Sequence, residues 1–99
     1  MLNVARMEPA PGVVQHDKCL LTELADGTGV LLHLETKFYY TLNATGVEVW
    51  KTLASGAKTE REVSEKISQE FEVDVDTAAG DVSRILAMML SEGLIRKSG

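Results

Sequence analysis

The sequence predicts an α+β domain, a three-stranded antiparallel sheet followed by a three-helix winged helix-turn-helix, on three observations. Apolar residues alternate or cluster in short runs from Lys18 to Leu42, then recur at helical spacing from Asn43 to Leu90. Turn chemistry punctuates the first half, with Asp26-Gly27 and Glu35-Thr36 between apolar runs, while cap residues punctuate the second, with Asn43, Thr59 and Asp76 heading apolar stripes. Strand-like and helix-like segments are segregated along the chain, which argues against an alternating, parallel-sheet fold.

Residues 1–17 hold both prolines, Pro9 and Pro11, and show no sustained period, so they read as an irregular amino-terminal arm. The domain proper is expected over 18–95. Its first strand is the run Cys19 to Leu24, and Asp26-Gly27 is a strong hairpin signal leading to the second, Gly29 to Leu34. His33 has the opposite parity to Val30, Leu32 and Leu34, which predicts an outward-facing polar residue. A third strand, Lys37 to Leu42, completes a meander. Asn43 caps a first helix that carries Val47, Trp50, Leu53 and Ala54 and stops at Gly56. Thr59 and Glu62 have capping-box spacing ahead of Val63 and Ile67. Asp76 is expected to cap a third helix, in which Val82, Ile85, Leu86, Met89 and Leu90 form one face, with Gly93 ending it and Leu94-Ile95 tucking under the last turn. Residues 96–99 should fray.

Composition excludes several function classes. The 99 residues suit one domain, and a formal charge of −5, from 15 acidic and 10 basic residues, gives no bulk attraction for nucleic acid or anionic lipid. One cysteine and no secretory or membrane-length apolar run predict a cytoplasmic protein. No Gly-rich phosphate loop, nucleophile elbow or metalloprotease motif is present, so no enzyme activity, catalytic residue or cofactor is expected. His16-x-x-Cys19 supplies two metal-ligand types, but a site needs three or four and no second cluster follows, so no metal is expected and Cys19 reads as a half-buried strand residue. The alternative reading is a winged helix-turn-helix DNA-binding regulator. Against it, the third helix offers one basic residue, Arg84, beside Asp76, Asp81 and Glu92.

Peptide binding is the class the residues support. The third strand ends the meander and is expected at a sheet edge, whose unpaired backbone groups can template a strand from another chain or from a second copy of this one, giving a homodimer. Phe38, Tyr40 and Leu42 share one face, with Phe38 and Leu42 expected in the core, while Tyr39 points to the other. Asp81, Arg84, Ile85 and Met88 form a stripe beside the core stripe of the third helix, and Met88 is an adaptable apolar side chain there.

The stretch Gly29-Val30-Leu31-Leu32-His33-Leu34-Glu35-Thr36-Lys37-Phe38-Tyr39-Tyr40-Thr41-Leu42-Asn43-Ala44-Thr45-Gly46 resembles the PqqD family. So do Trp50, Gly56 and Thr59, Phe71-Glu72-Val73-Asp74, Asp81-Val82 and Glu92-Gly93-Leu94-Ile95 in their order and spacing, so the likeness spans Gly29 to Ile95. The resemblance implies a non-catalytic adaptor that recognises the leader segment of a ribosomally synthesised precursor peptide, adds it as a strand between the third strand and third helix, and presents it to a radical S-adenosylmethionine maturase or a leader peptidase. Carried over by position, the peptide contacts would be Lys37, Phe38, Tyr39, Tyr40, Thr41, Asp81, Arg84, Ile85 and Met88, with Lys37 and Arg84 placed to meet acidic leader residues. The first 28 residues match only loosely and lack an Arg-Pro-rich start, which leaves the pathway open between pyrroloquinoline quinone, lasso-peptide and other modified-peptide clusters.

Overall fold

A computed structural model describes residues 12–56 and 59–98. The elements run β1 (Gly12–Gln15), β2 (Cys19–Glu23), β3 (Gly29–His33), β4 (Tyr39–Leu42), α1 (Ala44–Ala54), α2 (Glu60–Phe71), α3 (Val75–Ser91) and β5 (Ile95–Ser98). The expected α+β order of a three-stranded antiparallel sheet, β2-β3-β4, followed by three helices is present.

Two terminal expectations change. Residues 12–15, read as part of an irregular arm, form β1, and residues 96–98, expected to fray, belong to β5; the two pair antiparallel, from Gly12 opposite Ser98 to Gln15 opposite Ile95. The cause lies in both flanks. Leu94 and Ile95 are buried, which anchors β5 under α3, and the Gln15 side-chain amide donates to the Trp50 carbonyl at 2.8 Å, which anchors β1 on α1. Residues 1–11 of that arm and Gly99 lie outside the described residues.

The helix caps follow from local chemistry. Asn43 Oδ1 accepts the Gly46 N–H at 2.8 Å, and Thr59 and Glu62 form the reciprocal capping box. The third cap is Asp74, not Asp76: its carboxylate accepts the Asp76 and Thr77 N–H groups, so Asp76 lies inside the first turn, where it still complements the helix dipole. At the other end Gly93, at φ 74°, lets the Leu94 N–H reach back to the Met89 carbonyl, a Schellman closure that turns the chain into β5.

Val47, Val49 and Trp50 of α1, Val63 and Ile67 of α2, and Val82, Leu86 and Met89 of α3 form the core with Leu31, Leu42 and Leu94. The sheet reaches it by one face. Opposite β3, Leu21 meets Leu31 and Cys19 meets His33; Tyr40 meets Leu31 from the other side. The parity is therefore the reverse of the sequence reading: Leu31 and His33 point inward, and Val30 and Leu32 are half-exposed. Gly29 fits closely at the start of β3: a Cβ there would stand 3.0 Å from the Thr22 carbonyl oxygen and from Val47 of α1, so a larger residue would push these neighbours aside by a few tenths of an ångström.

Candidate functional site

The site is built on one edge of the three-stranded sheet. β4 has a strand neighbour on one side, β3. Antiparallel pairing alternates between hydrogen-bonded and non-bonded pairs. His33 N–H donates to the Phe38 carbonyl, which starts the bonded series, while Leu34 N–H turns the other way and donates to the Lys18 carbonyl beside β2. Pairs Tyr40–Leu31 and Leu42–Gly29 continue the bonded series, so the backbone N–H and C=O groups of Tyr39 and Thr41 face away from β3. Four backbone groups are thus presented on an edge.

α3 runs beside that edge, antiparallel to it. At one end the Tyr40 hydroxyl donates to Glu92 Oε1 at 3.0 Å, at the carboxyl end of α3. At the other end Asn43 and Thr45, just beyond β4, line a depression of about 210 Å³ with Asp81, Arg84 and Ile85 of α3. Desolvation raises the Tyr40 hydroxyl above its ordinary pKa, and the Glu92 carboxylate adds to the shift by accepting its proton and by charge. Larger hollows of about 510 and 430 Å³ lie along α2, lined largely by exposed charged side chains and remote from β4.

The nine residues singled out from the sequence divide as follows. Phe38 is 64% exposed and Tyr39 71%, so the expectation that Phe38 is core fails. Phe38 precedes β4, after a turn in which Lys37 takes a left-handed conformation at φ 68°, and this swings its ring off the sheet face. Tyr40 packs partly on the core, Thr41 is exposed, and Leu42 is buried as expected. On α3, Ile85 is half-buried and Met88 is 38% exposed, whereas Met89 beside it is fully buried. Arg84 is engaged by Asp81 one turn earlier, an exposed pair worth little by itself. Glu92, Asn43 and Thr45 were not singled out from sequence; only the length of α3 against that of β4 could have brought them to the two ends of the groove.

The comparisons with known proteins meet this geometry. The family described as coenzyme PQQ synthesis protein D (PqqD) matches residues 28–95, which contain the meander's last two strands and all three helices. The chain belongs to the PqqD family. Two solved structures share the family fold. One, described as TbiB1 in complex with the TbiA(beta) leader peptide, has 28% sequence identity and a TM-score of 0.75, with 87% of this chain and 98% of that one covered. The other, lasso peptide synthetase B1 complexed with the leader peptide, has 20% identity and a TM-score of 0.71, with 86% and 98% covered, and it speaks to fold alone. No curated protein matches the chain. Among the described residues no helix is long and apolar enough to cross a membrane.

A second cluster lies at the far end of β3. His33 is 4% exposed, not outward-facing, and Cys19, opposite it, is buried rather than half-buried. His16, from the β1–β2 connection, brings its ring centroid within 4.7 Å of that of His33. Burial holds the Cys19 thiol above its ordinary pKa, and the Asp17 and Glu35 carboxylates push the same way. His33 therefore stands beside His16 and Cys19 as the third candidate ligand that the sequence reading did not find. Hairpin register would have shown it, since strands closing around Asp26 place residue 19 opposite residue 33.

Proposed function

We propose that this PqqD-family protein is a non-catalytic adaptor that captures the leader segment of a ribosomally synthesised precursor peptide as an added strand on β4, facing α3. The supporting observation is the exposed edge of β4, with the backbone of Tyr39 and Thr41 turned outward and α3 alongside. Four backbone hydrogen bonds at about 0.5–1.5 kcal/mol each give a few kcal/mol, most of which the ordering of a disordered peptide cancels. Pairing alone is therefore weak and unselective. One or two apolar leader side chains, buried at about 1.5–3 kcal/mol apiece against Tyr40, Ile85 and Met88, bring affinity to the micromolar range. Lys37 stands at the start of the edge and Arg84 at the end of the groove, so an acidic leader residue can exchange with Asp81 for the guanidinium.

The adaptor has no chemistry to perform at this groove. The peptide it holds is modified or cleaved by a partner, a radical S-adenosylmethionine maturase or a leader peptidase, in the cytoplasm, where precursor peptides are made. Thr41→Pro tests strand addition directly. The substitution removes an N–H that faces away from β3, so the sheet keeps its pairing. Binding of a fluorescently labelled leader peptide, the TbiA(beta) leader bound by the similar TbiB1, should weaken by roughly three- to tenfold from one lost hydrogen bond, and further from the ring's bulk. Unchanged affinity in a folded Thr41→Pro protein would mean the leader does not pair with β4.

A further inference from the structure

We propose that His16, Cys19 and His33 form a binding site for a borderline divalent cation of the zinc class, with Glu35 as the fourth ligand. One ligand atom from each of the three residues lies within 4.8 Å of the other two. In a tetrahedral site with bonds of about 2.0–2.3 Å the ligand atoms stand roughly 3.3–3.8 Å apart, so a contraction of about 1 Å completes the set. Glu35 lies outside that trio but has its Oε1 3.6 Å from His16 Nε2, so a side-chain movement brings it to the fourth position. Two imidazoles, a thiol and a carboxylate select a borderline cation over calcium or magnesium, which take oxygen ligands.

The sheet delivers Cys19 and His33 to the same cross-strand position, and His16 folds over them because its N–H is tied to the Leu94 carbonyl at 2.9 Å and its carbonyl accepts the Cys19 N–H at 3.2 Å. His33 and Cys19 are shielded from solvent, while His16 and the Asp17 and Glu35 carboxylates border it, which gives a cation an entry side and a negative field. The site ties the β1–β2 connection to the base of the hairpin leading into β4, since the His33 backbone itself holds that hairpin through Lys37 and Phe38.

Loading has a definite proton balance. As placed, Nδ1 of His16 accepts the Lys18 N–H at 3.0 Å, and Nδ1 of His33 accepts those of Glu35 and Thr36 at 3.2 and 3.4 Å. An imidazole that accepts an amide N–H at Nδ1 carries a ring proton on Nε2. Coordination through Nε2 moves that proton to Nδ1 through solvent, which gives up these amide contacts, and Cys19 releases its thiol proton to buffer as the S–metal bond forms. The amides of Lys18, Glu35 and Thr36 thus report on the site.

The test adds zinc, and cobalt as its spectroscopic stand-in, to the full reduced chain. One equivalent should bind, cobalt should show thiolate-to-metal charge transfer that Cys19→Ser abolishes, and the Lys18, Glu35 and Thr36 amide signals should move. His16→Gln, at the solvent side and so compatible with folding, should weaken zinc by tenfold or more. No thiolate band in the native chain, or zinc affinity unchanged in His16→Gln, would overturn the site.

Discussion

The sheet has two edges, β2 and β4, and they differ in what stands beside them. At β2, the connection from β1 crosses one end, where Cys19 N–H is taken by the His16 carbonyl, and at the other end Glu23 is tied to Lys51 of α1 at 3.3 Å. Its apolar Leu20, and Leu24 just after the strand, are exposed. At β4 the outward backbone of Tyr39 and Thr41 has α3 alongside, tied to the strand through Tyr40 and Glu92, with Ile85 half-buried and Met88 exposed on that helix. An unpaired edge is a hazard common to sheets. A helix alongside converts one such edge into a selective groove, because side chains of an added strand then have somewhere to be buried.

The largest effect should fall on both edges together. Trp50 is buried in the core that both rest on, so Trp50→Ala should cost about 3–5 kcal/mol in urea unfolding. Next is the groove wall. Met88 and Met89 are neighbours on α3 but face solvent and core respectively, so Met88→Asp should reduce leader affinity tenfold or more, about 1.4 kcal/mol, and leave the melt nearly unchanged. Unfolding of Met88→Asp would place that residue in the core instead. Smaller again is Tyr40→Phe, which loses the exposed bond to Glu92 and should lower stability only slightly. The Tyr40 pKa is raised on folding, so its contribution is complete below the ordinary tyrosine pKa of about 10 and is lost as pH rises through the higher folded value. A difference between Tyr40→Phe and native stability that persists at strongly alkaline pH would contradict the assignment. The smallest effect should be that of Leu20→Lys at the other edge, with leader affinity changed by less than about twofold; a larger loss would move binding to β2.

What could be read from the sequence depended on range. Asn43, Thr59 with Glu62, and Gly93 mark helix ends by interactions within five residues, and each stands where its side chain or backbone freedom predicted. Asp74 and Asp76 offer the same cap two residues apart, and only the path of the chain after Val73 chose between them. β1 and β5 were hidden because each is four residues long and its partner is about 80 residues away in sequence. The inward turn of His33 was hidden because Val30-Leu31-Leu32 is apolar at both parities, so alternation had nothing to discriminate; the cross-strand pairing with Cys19 and the core beneath Leu31 fix it. At the proposed groove, the place of the third strand at a sheet edge was legible, but the exposure of Phe38 follows from a left-handed turn at a lysine, which no residue preference signals.

The central claim is that the leader occupies the β4–α3 groove, and chemical-shift mapping tests it most directly. The isotope-labelled chain is titrated with the same leader peptide, unlabelled. The account predicts that the largest shifts fall on Tyr39, Thr41, Arg84, Ile85 and Met88, with β2 and α2 unmoved. Shifts confined to α1 and α2, with β4 and α3 silent, would contradict it.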